Sequence, residues 1–402
     1  MKTNTPKLRF KEFTDEWQEK KLGEITSIFD GTHQTPDYVK TGIPFYSVEH
    51  ITSGNFKDTK FVSEEVYEQE CRRVKIERDD ILMTRIGDIG TSKYISWNPV
   101  ASYYVSLALI KKTSPLNMKF LDQYIKTNTF QHRLWQRTIH VAFPKKINLG
   151  EIGDCEISIP DADEQEKIAD FLTVVDEKIN KLEEKKKRFE KYKKGLMQAI
   201  FSQKIRFKRQ DGSDFPDWEE KKLGEIVRMS TAPYVDFDRN IQQGYYLIDM
   251  GSVLASGKLS ANKRTISSNN ILKRGELVMP NRDIGHGDII GKVAEIDQDN
   301  KYVLGNNMFC LCAKENVFSR YLFYAINSQD INREMRKKSN GTSQLQLIRK
   351  DVDSQKIPLP NIEEQEKIAK FLTSLDNKVD LINKELEQAK LFKKSLLQQM
   401  FV

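Results

Sequence analysis

Five polar stretches carry the side chains best suited to touch and read a polyanion. In the second half of the chain, "MPNRDIGHGD" (279–288) supplies Asn281, Arg282 and His286. "RKKSNGTSQLQ" (336–346) supplies Lys337, Lys338, Asn340, Ser343 and Gln344. In the first half, "MTRIGDIGTSK" (83–93) holds Arg85 and Lys93, "QRTIHVAFPKK" (136–146) holds Arg137, Lys145 and Lys146, and "DGTHQTP" (30–36) holds His33 and Gln34. Lysine and arginine suit phosphate oxygens, while Asn, Gln and Arg can pair in bidentate fashion with purine edges. Glycines in these stretches allow the tight turns that bring backbone close to a ligand. The plainer alternative for each stretch is a solvated turn.

Catalytic patterns are sparse by comparison. "GDIIGKVA" (287–294) has neither the spacing nor the hydroxyl residue of a phosphate-binding loop. There is no GxSxG elbow and no HExxH. "WNPVAS" (97–102) has one proline where an amino-methyltransferase carries two before an aromatic residue. Asp161, Glu183 and Lys185 have a nuclease-like order, but they fall on a long charged helix and read as solvated charge. Cys310 and Cys312 would share one face of a strand, yet no further ligand is near in sequence, so core packing is expected rather than zinc. No catalytic or metal-binding residue is assigned.

Charged residues make up 31% of 402, and hydrophobic residues only 38%, which favours long solvated helices over one large core. A net charge of +7 permits a polyanionic partner without requiring one. No stretch is apolar enough for a signal peptide or membrane span, and the four cysteines form no framework. A cytoplasmic protein is expected.

The elements that must position the polar stretches follow from an internal duplication. "DEQEKIADFLTVVD" (163–176) returns as "EEQEKIAKFLTSLD" (363–376), and residues 163–201 share 16 identities with 363–401 over 39 positions. "DEWQEKKLGEI", ending at Ile25, returns as "FPDWEEKKLGEI", ending at Ile226, and "DDILMTRIGDIG" (79–90) has an echo in "GELVMPNRDIG" (275–285). Each shared tail reads as a helix, with Asp161 or Asn361 as N-cap and Glu164 or Glu364 closing a capping box. A heptad seam runs through Ile168, Leu172, Val175, Ile179, Leu182, Phe189 and Leu196, then through Ile368, Leu372, Leu375, Val379, Ile382, Leu386 and Leu396, with breaks at Lys186 and Lys393. Both helices are acidic at the start and basic at the end, so antiparallel pairing sets opposite charges side by side.

The expected architecture is therefore a pseudo-twofold α/β (α+β) repeat. Two mixed α/β bodies, 1–160 and 203–360, would sit at opposite ends of a long antiparallel coiled coil made of 161–202 and 361–402. "GIPFYSV", "SYYVSLALI", "GYYLIDM", "GELVMP" and "MFCLCA" read as strands. "KFLDQYIKTNTFQHRLWQR" and "RYLFYAINSQDINREMRKK" read as helices.

The duplicated tails, the "W(Q/E)EKKLGEI" lead-ins and the "GD/GE-ILM" strands resemble the DNA-specificity subunit of type I restriction–modification systems, over the whole chain. The resemblance implies that the bodies are target-recognition domains, each reading one half of an asymmetric bipartite site in double-stranded DNA. It implies that the helices set the spacer and dock two modification (methyltransferase) subunits, with restriction (translocase and nuclease) subunits joining that core. The chain itself would be non-catalytic, and S-adenosylmethionine, ATP and magnesium would belong to the partners. Two other classes stay open on the residues alone. A stand-alone DNA-modifying enzyme with a cryptic site would turn over DNA by itself, and a coiled-coil scaffold would give no footprint.

Overall fold

The computed structural model describes residues 4–237, 241, 243–285, 287–341 and 344–402. By contacts the chain divides into two units, Met1–Glu183 with Lys384–Val402, and Glu184–Asn383. Each contains one α/β body and a portion of both long helices, Ala162–Phe201 and Ile362–Gln399.

The two bodies share one topology. In the first, a four-stranded antiparallel sheet runs in the order Ile28–Asp30, Leu107–Ile110, Ile81–Thr84, Ser92–Tyr94. In the second the order is Val227–Thr231, Met308–Ala313, Leu277–Pro280, Ala294–Glu295. Each also has a three-stranded sheet, Lys60–Val62, Ile43–Tyr46, Ser102–Tyr103 in the first and Lys263–Thr265, Tyr245–Ile248, Tyr302–Leu304 in the second. The lead-in strand pairs with the strand just before the long helix, Gln18–Lys21 with Glu156–Ile159 and Glu219–Lys222 with Lys356–Leu359.

A strand buried on both faces reads as an unbroken apolar run, and its alternate residues feed different cores. Ile81 and Met83 join the core that includes the long helix, whereas Leu82 joins a second core with Tyr46, Ile51 and Tyr103. Leu277 and Met279 divide from Val278 in the same way. Cys310 falls in that second kind of core, only 4% exposed, and burial pushes its thiol up to about 12.

Two expectations change in detail. "SYYVSLALI" holds two strands, Ser102–Tyr103 and Leu107–Ile110, and each helix-like run breaks into two helices. Met118–Ile125 is followed by Asn128–Gln136, where Thr127 starts a new helix by accepting the Phe130 N–H. Ser319–Asn327 is followed by Gln329–Lys338 across an extended Ser328.

The capping box is also corrected. Asp161 and Asn361 do accept the backbone N–H of Glu164 and Glu364, at 2.8 and 2.9 Å. The Glu164 carboxylate, however, does not turn back to the N-cap. Its side chain is fully buried and takes a two-point contact from Arg9 (Nε–Oε1 and Nη2–Oε2, both 2.8 Å), with the Trp17 indole N–H at 3.1 Å. Glu364 repeats the site with Arg206 (3.2 and 2.8 Å) and Trp218 (2.9 Å). The adjacent glutamines carry the same logic to the next helix. Gln165 Oε1 accepts from the Asn117 N–H and Gln365 Oε1 from the Phe318 N–H, both at 2.8 Å, while their amides donate to Pro160 O and Pro360 O. The duplicated Glu-Gln pair thus joins lead-in, long helix and the helix following the sheet, in each body separately.

Within the first unit, Ile168, Leu172, Val175, Ile179 and Leu182 share a core with Leu386, Ala389, Leu396 and Met400. Asp176 pairs with Lys393 at 2.6 Å and Glu183 with Lys390 at 2.7 Å, so one sequence ascends as the other descends and the helices are antiparallel. Within the second unit, Ile200 and Leu196 pack with Ile368, Leu372 and Leu375, and Lys193 pairs with Asp376. Ile382 is buried, while Phe189 and Val379 are half-buried. The seam's break at Lys393 has a physical reason. Burial lowers the lysine's pKa, but Asp176 meets it with both oxygens, at 2.6 and 2.8 Å.

Candidate nucleic-acid interface

Each body brings two of the polar stretches together by the same backbone pattern. In the first, Arg85 follows the central strand, and its carbonyl accepts the Ile147 N–H at 3.0 Å. The next residues bridge to the 139–147 hairpin: Ile86 pairs with Lys146, the Gly87 N–H donates to Lys145 O at 2.8 Å, and the Ile139 N–H donates to Lys146 O at 2.8 Å. In the second body, Asn281 follows the central strand, and its carbonyl accepts the Leu347 N–H at 2.9 Å. Arg282 and Asp283 then pair with Gln346 and Leu345, and Asn340 pairs with Gln346 across the hairpin. Arg85 and Asn281 are therefore structural counterparts, as are the hairpins beside them.

The side chains at these positions differ in role. Arg85 is buried; it donates to Ile147 O at 3.2 Å and meets Asp30 at 3.4 Å, which makes it a brace rather than an exposed cation. Asp30 also binds Arg73 at 2.8 Å and His33 at 2.9 Å. Burial works to raise the Asp30 pKa, but Arg73 and His33 outweigh it and hold the carboxylate below its ordinary range. These residues, with Gln34 and Tyr103, line a cleft of about 480 Å³. His33 and Gln34 are exposed on its rim.

Lys145 and Lys146 are exposed on the hairpin, and Lys93 is half-buried on the edge strand Ser92–Tyr94. Arg137 is engaged by Glu151 at 3.2 Å. In the second body Arg282, Asn340 and Gln344 are exposed around the short ladder. Asn281 is half-buried, and its Oδ1 has no hydrogen-bond partner among the described residues. Lys337 pairs with Glu334 at 2.9 Å and Lys338 reaches Ser354 Oγ at 3.2 Å, both on the helix that leads into the hairpin. His286 and Ser343 lie outside the described residues. In each body taken by itself, such side chains can pair cations with phosphates and amides with base edges.

Sequence reasoning missed Arg73, which no motif marks. It also missed Arg9 and Arg206, although "LRF" (8–10) and "IRF" (205–207) echo each other ahead of the two lead-in tryptophans. Backbone geometry adds a constraint at Gly31, where a Cβ would lie 2.0 Å from the Tyr103 carbonyl oxygen. Replacing Gly31 with Ala forces these backbones apart and is expected to cost ~1–3 kcal/mol, read as a lower melting temperature.

Comparison with known proteins agrees with this frame. The family described as type I restriction modification DNA specificity domain matches twice, at residues 14–189 and 216–391. The specificity subunit of the type I restriction enzyme MjaVIII of Methanocaldococcus jannaschii is 28% identical over 257 residues, 60% of this chain and 60% of the relative. The MjaX specificity subunit of the same organism is 23% identical over 98% of this chain and 95% of its own length. Among solved structures, the type I restriction–modification S subunit from M. genitalium superposes with a TM-score of 0.62 at 17% identity, covering 99% of both chains. A chain from a structure describing complex assembly and conformational transition of the type I system superposes at 0.56 and 13% identity, covering 96% of this chain and 97% of its own.

Proposed function

Because the chain belongs to the type I restriction–modification DNA specificity family, we propose that its two bodies, 1–160 and 203–360, each read one half of an asymmetric bipartite site in double-stranded DNA. The long helices, 161–202 and 361–402, set the spacer between the halves and dock two methyltransferase subunits. The chain lends sequence choice and no chemistry. Methylation and cleavage, with S-adenosylmethionine, ATP and magnesium, belong to the modification and restriction subunits, in the cytoplasm. One structural neighbour comes from a structure described by complex assembly and conformational transition of the type I system. Among the described residues no helix is long and apolar enough to cross a membrane.

The observation that supports this reading best is one frame with two sets of contents. The residue after the central strand and the hairpin beside it are held by matching hydrogen bonds, to Ile147 in one copy and Leu347 in the other. The hairpin side chains then diverge: Lys145 and Lys146 stand where the second copy has Leu345 and Gln346, and Ile139 where it has Asn340. Base readout depends on which donors and acceptors stand at such positions, so unlike contents select unlike half-sites.

The test is to map methylated motifs in cells carrying this chain with its modification subunits, then to replace 203–360 by the corresponding body of a relative. One half of the motif should change completely while the other half and the spacer stay. A change in both halves, or in neither, would sink the assignment of one half-site per body.

A further inference from the structure

Two of the most exposed apolar side chains in the first unit stand two residues apart at the tip of the 139–147 hairpin: Val141 is 96% exposed and Phe143 is 103% exposed. Single exposed apolar residues are common and need no explanation. This tip differs in being held from below. The hairpin is closed by the Ile139–Lys146 hydrogen bond, and its base is tied to the loop after the central strand through Gly87 and Lys145. The chain therefore presents Phe143 and the following Pro144 on a fixed mount rather than on a loose strand end.

The surroundings decide what such a tip can enter. Lys145 and Lys146 follow immediately, both are exposed, and neither makes an ion pair among the described residues. Such a tip fits a partner that sets an apolar slot beside anionic groups, and on the DNA-specificity reading that partner is a duplex. A nucleic-acid duplex offers both, since stacked bases lie between rows of phosphates. Among its described residues the counterpart hairpin of the other body shows no exposed apolar pair; Asn340, Gly341 at φ 107° and Gln344 are suited to hydrogen bonding or tight turning.

Resting on the DNA-specificity reading, we propose that Phe143 is an apolar wedge that inserts at one base step of the half-site read by the first body, with Val141 against the neighbouring base and Lys145 and Lys146 on the flanking phosphates. Selection in that half-site then draws on how easily a step opens, and pyrimidine–purine steps open most easily. The second body, whose hairpin shows no exposed apolar pair among its described residues, selects by hydrogen bonds to base edges.

The experiment uses the chain assembled with its modification subunits and a duplex carrying the mapped motif, with 2-aminopurine placed at successive positions. Apart from the methylated base, which a methyltransferase extrudes by itself, binding should brighten one further position in the first body's half-site several-fold, because unstacking relieves quenching. Phe143→Ala should abolish that rise and weaken binding by roughly 10-fold or more, as expected when a wedge that stabilises unstacked DNA is removed. Phe143→Leu, which keeps an apolar wedge, should retain most of both. An exposed side chain supports no core, so loss of fold does not confuse the result. The wedge is overturned if a bound duplex brightens nowhere but at the methylated base, or if Phe143→Ala binds as tightly as the parent. It is also overturned if Phe143→Ala weakens binding although the parent unstacks no other base, since that marks contact along a groove. If the parent complex shows no sequence preference at all, the specificity reading falls, and the wedge with it.

Discussion

Arg206→Leu is expected to destabilise the second unit by roughly 3–5 kcal/mol, the range found when one partner of a buried ion pair is removed. The asymmetry of the site makes this a sharper statement than a list of contacts. Glu364 is fully buried, while Arg206 keeps 24% of its side-chain surface exposed. Without the arginine, the carboxylate is stranded with only the Trp218 N–H and its own helix start, and water cannot reach it. Without the charge on the glutamate, the arginine can turn outward and be hydrated. Glu364→Gln, which keeps an oxygen for Trp218, should therefore cost less, on the order of 1–2 kcal/mol. Urea unfolding followed by tryptophan emission checks the ordering, since Trp218 donates to Glu364 itself at 2.9 Å. Equal and small effects of the two substitutions would mean that the pair is not sealed from water. Arg9→Leu should behave in the same way in the first unit, where Arg9 is 13% exposed and Glu164 is again fully buried.

Adding seven residues to each long helix, after Glu183 in one and after Asn383 in the other, is expected to lengthen the spacer of the methylated motif by about 3 base pairs. Seven residues of helix rise ~10.5 Å, and DNA rises ~3.4 Å per pair. The insertion points are the places where the two units meet along the chain, so each unit keeps its own contacts. Asp176 stays with Lys393 in one, and Lys193 with Asp376 in the other. A full heptad also returns the apolar seam to the same face, so the inserted turns can pair with one another. The half-sites should be unchanged, because no residue of either body is touched. Methylome sequencing of cells carrying the lengthened chain reads the outcome directly. An unaltered spacer in an active complex would remove the helices from the role of setting it.

The duplication and the long helices were legible because both are written in local, repeating terms. A seven-residue seam and an acidic-to-basic gradient each depend on near neighbours in sequence, and together they pointed to antiparallel packing. The N-caps Asp161 and Asn361 were legible for the same reason, since a cap acts within three residues. The role of Glu164 was not. Its spacing from the N-cap fits a capping box, but its partner Arg9 lies 155 residues away, and only the antiparallel pairing of 18–21 with 156–159 brings the lead-in to the helix start.

The candidate interface divides along the same line. The polar stretches could be picked out by residue type, and the two hairpins do stand beside the loops after the central strands. Type alone could not separate Arg85, which braces Asp30 and Ile147, from Lys145, which is exposed, nor mark Phe143 as standing outside every core. The amino-acid order by itself determined that there are two copies of one frame and two helices able to zip in opposite directions, because periodicity and charge order are properties of the chain. Which side chains within each frame are sealed, braced or left facing water was decided only by the tertiary structure, because burial is set by neighbours far apart in sequence, 55 residues for Arg85 and Asp30 and 155 for Arg9 and Glu164.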